Sequence, residues 1–265
     1  KIRFRVVNCK NCNNNLRDSQ KFCDECGAKI IQNRLKPKVL VAQVNEQFLC
    51  VDNKFLRTFI HLFTKPEMVI VSYIDGTRKK YIDVLQYFAI ALTLAGIQLF
   101  IMSTFFKESL DFQSGFVDGL NSSTSQKDNP FKGIDTESFS KFQSVIYILI
   151  VPFYALGTWF TYYLLNERVY NFTEHIVINL YYNAQVIILT AVFGTLFAII
   201  GVEYYIVSLI LFVPTFLYLF YILKRVFKDT FWAAFLRFLI ASFIAMTSMF
   251  IVGIIITLLF IILSI

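Results

Sequence analysis

The chain of 265 residues is 57% hydrophobic and 17% aromatic but only 16% charged, with a mean hydropathy of +0.60. Soluble domains average about 45–50% apolar and about 25% charged residues, so this composition excludes an ordinary soluble globular protein and a disordered one. The net charge of +7 is uneven, because residues 1–83 carry 16 Lys and Arg against 8 Asp and Glu, whereas residues 84–265 carry 9 against 10. A basic head on a nearly neutral apolar body indicates a membrane protein facing anionic lipid headgroups, with nucleic acid as the alternative partner. The bilayer is favoured because it requires no further partner.

Four cysteines near the start of the chain have the spacing of a metal site. They form two C-x2-C pairs separated by ten residues: Cys9, Cys12, Cys23 and Cys26. Each pair presents two thiolates in a tight turn, and two such turns complete a tetrahedral zinc site with bonds of about 2.3 Å. Gly27 follows the last cysteine, where a turn with positive φ is least costly. The pattern predicts a zinc ribbon over residues 1–32, with disulfides or an iron–sulfur centre as alternatives.

A site with four protein ligands is closed, so the Zn²⁺ is expected to be structural rather than catalytic. Two roles stay open for the ribbon: a small docking module, or a staple for a segment too short to hold a core of its own. Cys50 has no cysteine near it in the sequence and is expected to be an ordinary buried thiol.

Residues 45–83 predict amphipathic helices at the membrane surface. Phe55, Phe59 and Phe63 repeat at i, i+4 and i+8 and give one apolar stripe on a helix over residues 53–64, and Pro66 suits the first turn of a second helix. The basic residues expected at the lipid headgroups are Arg57, Lys65, Arg78, Lys79 and Lys80. A helix that binds in the groove of a protein partner is the alternative.

From residue 84 onward the apolar runs are long enough to cross a bilayer as helices. Five spans are predicted at about 84–106, 144–165, 176–200, 204–223 and 239–263, with a polar outer loop over 107–141. Pro152 and Pro214 are expected to kink the second and fourth spans. Because Arg237 interrupts the last apolar run, Asp229–Phe238 is predicted to be an interfacial segment ahead of the fifth span.

The distribution of Lys and Arg predicts the orientation of the spans. Basic residues cluster before the first span, at Arg168 between the second and third, and at Lys224, Arg225 and Lys228 between the fourth and fifth. With five spans these clusters fall on one side, which the positive-inside rule assigns to the cytoplasm. The N-terminus is therefore expected in the cytoplasm and the C-terminus outside.

A row of polar residues runs along the predicted third span. His175, Asn179 and Asn183 stand at i, i+4 and i+8, with Glu174 beside the first of them. Lipid cannot satisfy these side chains, so they should face the interior of the bundle. They are either hydrogen-bonding contacts between helices or a polar pathway or headgroup site in which Glu174 and His175 form a protonatable pair.

The segment ahead of the first span carries a family resemblance. After the four cysteines come Phe-Leu-Arg-Thr-Phe-Ile-His-Leu-Phe-Thr-Lys-Pro-Glu (55–67) and Ser-Tyr-Ile-Asp-Gly-Thr-Arg-Lys-Lys-Tyr (72–81). This order resembles the uncharacterised bacterial membrane family called domain of unknown function 3667, with its zinc ribbon, R-T-x-x-x-L-x-x-x-P and Y-x-x-G-x-R-x-x-Y stretches and multiple spans. The matching residues are Arg57, Thr58, Pro66, Tyr73, Gly76, Arg78 and Tyr81. The resemblance implies a bacterial inner-membrane protein and supplies no activity.

The sequence therefore predicts an all-α integral membrane protein of about five transmembrane helices with a small N-terminal zinc ribbon held by four cysteines. No phosphate-binding loop, dinucleotide glycine pattern or nucleophile elbow is present, and His61 and His175 are the only histidines. The predicted function is non-catalytic: an accessory or scaffold subunit that docks other membrane-protein subunits. A transporter or permease for a small solute or lipid, using the polar row of the third span, is the alternative.

Overall fold

A computed structural model of the chain describes residues 7–17, 20, 22–28, 54–106, 143–202 and 204–264. Cys50, the outer loop over 107–141 and residues 45–53 lie outside these ranges. The chain divides into two units, Lys1–Val51 and Asp52–Ile265. Their elements are β1 (Val7–Asn8), β2 (Asn15–Leu16), α1 (Lys54–Thr64), α2 (Pro66–Ile74), α3 (Val84–Phe105), α4 (Gln143–Leu164), α5 (Phe172–Ile199), α6 (Tyr204–Phe227) and α7 (Phe231–Ser264).

The described part of the first unit has very little apolar core. Strands β1 and β2 pair antiparallel, with Val7 opposite Leu16. Within the described residues its core consists of Cys9, Leu16 and Cys23, with Ala28 packed against them. So small a core contributes little hydrophobic stabilisation, and a fold of this size depends on another source of stability.

The second unit contains five helices that are long and apolar enough to cross a membrane, which confirms the predicted number of spans. Their bounds differ from the prediction at several ends. Helix α5 begins at Phe172 rather than residue 176, because Asn171 and Glu174 form a capping box there. Helix α6 continues to Phe227 rather than ending at residue 223, so that Lys224 and Arg225 occupy its last turn, where cations interact favourably with the helix dipole.

The expected interfacial segment over Asp229–Phe238 is not a separate element. Helix α7 begins at Phe231 and runs without a break to Ser264. The charge that suggested an interruption, Arg237, is tolerated inside the helix because it pairs with Asp229 and with Glu167.

Helix α5 is the centre of the bundle. Of its most apolar stretch, 61% is buried inside the protein, compared with 17–33% for the other four long helices. Helices α3, α4 and α6 pack around it, and α7 packs against α4 and α6. The polar row predicted on this span therefore lies where protein rather than lipid surrounds it.

Helices α4 and α7 approach most closely at Gly157. A Cβ at this position would lie 2.9 Å from Cβ of Ala245 and closer still to the carbonyl oxygen of Ala241. Glycine is needed here because the two backbones are almost in contact. Along the rest of the contact a cavity of about 730 Å³ opens, lined by Tyr154 and by one face of α7 between Met246 and Leu258.

Helices α1 and α2 form a hairpin that is part of the bundle rather than a layer beside it. Thr58, Leu62, Val69 and Ile70 are completely buried. Helix α2 packs against α5 and α6, and α1 packs against α5. We call the end of the bundle that holds the α1–α2 hairpin, where α4 and α6 end and α3, α5 and α7 begin, the hairpin end.

Candidate metal centre and polar contacts of the membrane unit

The two C-x2-C turns share one backbone geometry. In each turn, the backbone N–H of the first cysteine donates to the carbonyl of the residue five positions later. The carbonyl of the same cysteine accepts from the N–H of the residue four positions later. The residue four positions after the first cysteine has a left-handed backbone, with φ of +60° at Asn13 and +69° at Gly27. The value at Gly27 confirms the turn predicted there. The four bonds are Cys9 to Asn14 (2.8 Å), Asn13 to Cys9 (2.8 Å), Cys23 to Ala28 (2.9 Å) and Gly27 to Cys23 (2.9 Å).

These turns bring the four sulfurs together. The Sγ atoms of Cys9 and Cys26 lie 3.7 Å apart, those of Cys12 and Cys23 lie 3.6 Å apart, and all four lie within 4.8 Å of one another. A tetrahedron with metal–sulfur bonds of about 2.3 Å has edges of about 3.8 Å. A disulfide needs sulfurs about 2.05 Å apart, and all four thiols are free. The arrangement fits one tetrahedral ion.

The thiols differ in acidity because their hydrogen bonds differ. The backbone N–H of Ala28 and the side chain of Asn11 lower the pKa of Cys26 to about 6. At Cys12 the backbone N–H of Asn14 also favours the thiolate, but bonds with the other thiols and desolvation outweigh it and raise the pKa to about 12. A cation that replaces the shared protons would stabilise all four thiolates, as in structural metal sites.

In the second unit, the motif residues of α1 attach the hairpin to the start of α3. The hydroxyl of Thr58 donates to the carbonyl of Lys54 (2.6 Å) and accepts from the N–H of Ile82 (3.1 Å). Nδ1 of His61 lies 2.8 Å from the hydroxyl of Tyr81. Two of the family-motif residues, Thr58 and Tyr81, therefore have structural hydrogen-bonding partners.

The remaining motif residues build the turn between α2 and α3. Tyr73 donates its hydroxyl to Asp83 Oδ2 (3.0 Å), and Asp83 caps α3 by accepting from the N–H of Leu85 (3.0 Å). Burial, followed by the bond to Asp83, raises the pKa of Tyr73 above its usual value. The guanidinium of Arg78 lies 3.9 Å from the centre of the Tyr73 ring and donates to the Tyr73 carbonyl, and Gly76 turns with a φ of +96°.

Long-range hydrogen bonds hold the hairpin against the spans. The hydroxyl of Tyr181 in α5 donates to the buried carbonyl of Ile82 (2.8 Å). The carbonyls in the last turn of a helix have no N–H donor within that helix. Tyr218 and Tyr221 of α6 donate their hydroxyls to two such carbonyls of α1. These bonds run to Leu62 (3.0 Å) and Thr64 (3.1 Å).

The basic residues predicted at the membrane surface have different surroundings. Lys65 and Lys79 are exposed, and Arg57 is half-buried and makes a contact of its own. Arg78 packs on the Tyr73 ring in the turn between α2 and α3, and the ammonium of Lys80 lies 5.3 Å from the centre of the Tyr81 ring. These side chains lie at the hairpin end, and two of them already bind aromatic rings.

The predicted polar row is present and buried. His175, Asn179 and Asn183 are 1%, 0% and 9% exposed. Thr158 of α4 joins the first two, with its Oγ1 atom 3.1 Å from Nδ1 of His175 and 2.9 Å from Nδ2 of Asn179. The amides of Asn179 and Asn183 also donate to carbonyls of their own helix (2.8 Å each), and Oδ1 of Asn179 has no partner in the described part of the chain. The row thus makes contacts between α4 and α5.

Glu174 does not pair with His175. Its carboxylate accepts from the N–H of Asn171 (2.7 Å), while the Asn171 side chain accepts from the N–H of Glu174 (3.0 Å). Adjacent helical residues point about 100° apart, so proximity in sequence does not make a pair. The carboxylate is used to cap α5.

Sequence reasoning missed an ionic cluster at the hairpin end. Arg237 binds Asp229 and, over 2.9 Å, Glu167, and Tyr162 donates its hydroxyl to Asp229 (3.0 Å). The side chains of Arg237 and Asp229 are only 12% and 9% exposed. The available signal was the presence of two opposite charges eight residues apart at the start of the last apolar run. The cluster joins the ends of α4 and α6 to α7.

Comparison with known families matches residues 52–96 to a family described as protein of unknown function (DUF3667). The match covers the α1–α2 hairpin and the first half of α3, which is the segment that carries the quoted motifs. It confirms, for these residues, the resemblance stated from the sequence. No curated protein and no solved structure matches the chain.

Proposed function

With residues 52–96 matching an uncharacterised family and five apolar helices in the membrane unit, we propose that the protein is a non-catalytic accessory or scaffold subunit of a membrane assembly. The observation that carries the proposal is the four-thiol cluster. Protein sulfurs supply all four positions of a tetrahedral ion, so none is left for a substrate or a reactive water.

We propose that the ion is Zn²⁺. Soft thiolates in a tetrahedral set select zinc or iron, and sulfur pairs 3.6 and 3.7 Å apart match the edges of a zinc tetrahedron. Bound there, the ion would supply folding energy to a ribbon whose described residues contribute almost no apolar core. The ribbon would then present its exposed turns around Cys12 and Cys26 as a docking surface.

The membrane face of the scaffold would be the far part of α7. Its described side chains from Ile251 to Leu258 are all exposed, and only 17% of its most apolar stretch is buried. An uncovered apolar helix suits packing against a helix of another subunit as well as against lipid.

The hairpin end would face the cytoplasm of a bacterium. Arg78, Lys79 and Lys80, Arg168, and Lys224 and Lys228 all lie at this end of the spans, and the positive-inside rule assigns such an end to the cytoplasm. In this orientation the ribbon is in a reducing compartment, where free thiolates persist for metal binding.

Extraction in several mild detergents, followed by measurement of the mass of the purified particle, tests the proposal. We expect a particle larger than the monomer whose excess mass is lost in the Cys23→Ser variant while the five spans stay folded. Recovery of the wild-type chain only as a monomer under every gentle condition would contradict a scaffold role.

A transporter is the weaker proposal. His175 and Asn179 are buried at 1% and 0% exposure and bond to Thr158, so the polar row has hydrogen-bonding partners other than a solute. The unpartnered Oδ1 atom of Asn179 is the one feature that favours a polar ligand there. Uptake of a labelled solute into vesicles that is lost in Asn179→Leu would reverse the order of the two proposals.

A further inference from the structure

A cavity of about 400 Å³ lies at the hairpin end where α4 passes into α5. Its volume is at the lower end of the range for small-molecule sites, about 300–1,000 Å³. The lining side chains that carry the inference are Trp159, Tyr163, Glu167, Arg168, Tyr170 and Glu174. Neither the four thiols nor the buried polar row contributes to it, whereas Tyr162 and Glu167 of the ionic cluster form part of its lining.

Aromatic rings form much of the wall. The ring centres of Trp159 and Tyr163 lie 5.5 Å apart with 31° between their planes. Tyr170 packs edge-on against Phe227, which stacks on the buried Tyr162 at 3.7 Å. Ring faces in a partly desolvated cavity attract cations, and quaternary and primary ammonium groups are bound in this way.

Carboxylates give one part of the cavity a negative electrostatic potential. Oε2 of Glu174 accepts from the N–H of Asn171, and its Oε1 atom has no hydrogen bond within the described ranges. Burial, together with the negative charges of Asp75 and Glu174, raises the pKa of Tyr170. A ligand cation placed beside Tyr170 would gain from both the ring and the carboxylates.

Arg168 supplies the opposite charge at the exposed edge of the same cavity. Its guanidinium lies 4.4 Å from the centre of the Tyr163 ring. The neighbouring carboxylate of Glu167 is committed to Arg237, and no carboxylate in the described part of the chain forms an ion pair with Arg168. A guanidinium held by a ring and free of carboxylates is suited to bind a phosphate.

In a bilayer crossed by the five long helices, the cavity would lie at the depth of the lipid headgroups. Arg237, beside Tyr162, is the last charged residue of the chain, and the apolar stretch of α7 follows it directly. Trp and Tyr side chains collect at this boundary in membrane proteins. We propose that the cavity binds the headgroup of a zwitterionic phospholipid, with the phosphate on Arg168 and the ammonium beside Tyr170, Trp159 and Glu174.

Tryptophan fluorescence tests the proposal on the full chain in detergent. The chain has two tryptophans, and Trp232 is 76% exposed, so Trp232→Phe leaves Trp159 as the only emitter. Delipidated protein is titrated with phosphatidylethanolamine, with phosphatidylglycerol and with water-soluble glycerophosphoethanolamine, while native mass spectrometry counts bound lipids. We expect one phosphatidylethanolamine per chain, a saturable shift of the Trp159 emission, and binding about tenfold tighter than for either of the other two probes.

Matched variants separate the site from general attraction to lipid. Arg168→Gln should weaken phosphatidylethanolamine binding about tenfold, whereas Lys80→Gln, which removes another ring-bound surface cation, should change it less than twofold. Trp159→Leu, followed by mass spectrometry alone, should weaken binding similarly, and Phe160→Leu, a neighbour outside the lining, should not. Equal affinity for phosphatidylglycerol, equal affinity for the soluble headgroup, or equal effects of Arg168→Gln and Lys80→Gln would each overturn the proposal.

Discussion

The hydroxyl of Tyr218, in the fourth long helix, donates over 3.0 Å to the backbone carbonyl of Leu62 at the end of α1. Leu62 is completely buried, so no water replaces that bond without opening the structure. The contact joins residues 156 positions apart and makes α1 a structural part of the membrane bundle. The family match covers this hairpin, and its motif residues are mostly used to hold the hairpin in place.

Tyr218→Phe should loosen the hairpin. The ring stays, but the carbonyl of Leu62 loses its donor in a buried place, which costs about 1–3 kcal/mol. Hydrogen exchange of amides 54–74 should become faster, by the factor in the opening equilibrium constant to which this loss of free energy corresponds. Tyr221→Phe is the control, because it removes the same kind of bond from the exposed carbonyl of Thr64 and should have a much smaller effect. Equal exchange in both variants would show that the buried bond does not hold the hairpin.

Cys23→Ser should remove the metal and unfold the ribbon. Structural zinc contributes about 10–16 kcal/mol to small zinc-finger folds, and a core made largely of Cys9, Leu16 and Cys23 cannot replace it. Elemental analysis should fall from one zinc per chain to none, and limited proteolysis should cut within residues 13–32 while leaving 84–265 intact.

Cys50→Ser is the matched control for the metal experiment, since Cys50 is predicted to take no part in the site. It should keep one zinc per chain and the protease resistance of the wild type. Metal content that is unchanged in Cys23→Ser, or lost in Cys50→Ser, would show that the four-thiol assignment is wrong.

Gly157→Ala should separate α4 from α7. The added Cβ would overlap the backbone of Ala241 and lie 2.9 Å from Cβ of Ala245, and overpacking of this kind costs about 1–3 kcal/mol. Gly96→Ala is the control: it lies in α3 with nothing within 4 Å of the added atom, so it should be neutral or slightly stabilising. Thermal denaturation in one detergent compares them, and equal melting temperatures would contradict the close approach.

The ion pair between Glu67 and Arg225 should make the hairpin sensitive to acid. Burial disfavours the Glu67 carboxylate, but its bonds to Arg225 (2.9 and 2.5 Å) outweigh this and lower its pKa below 4.5. A lowered pKa means that the stabilisation is complete above the unfolded value and is lost as the pH falls through the folded value. Because Arg225 is 43% exposed, solvent screens the pair and the gain is small.

The measurement is the pH dependence of hydrogen exchange in α2, corrected for the intrinsic exchange rate. Wild type should be better protected than Glu67→Gln at neutral pH, and the difference should vanish as the pH falls through the folded pKa of Glu67. A difference that persists in acid would mean that the side chain stabilises α2 through packing rather than through its charge.

Sequence patterns predicted the features that depend on neighbouring residues or on the bilayer itself. The five spans follow from apolar runs of about 20 residues, and the turn at Gly27 follows from its place after Cys26. The packing of the hairpin against the long helices was not predictable from sequence patterns. It depends on hydrogen bonds from Tyr181 to Ile82 and from Gln185 to Phe59, residues 99 and 126 positions apart. Arg237 was assigned to an interfacial segment ahead of the fifth span because its partner Glu167 is distant in sequence.

The length of α7 determines how it must sit in a bilayer. From Phe238 to Ser264 the helix is uncharged over roughly 27 residues, or about 40 Å at 1.5 Å per residue. A hydrocarbon layer about 30 Å thick accommodates that length when the helix inclines by about 40° from the membrane normal. Since Gly157 holds the first half of α7 against α4, an inclined α7 would take α4 with it. Membrane thickness would therefore act on these two helices as a pair.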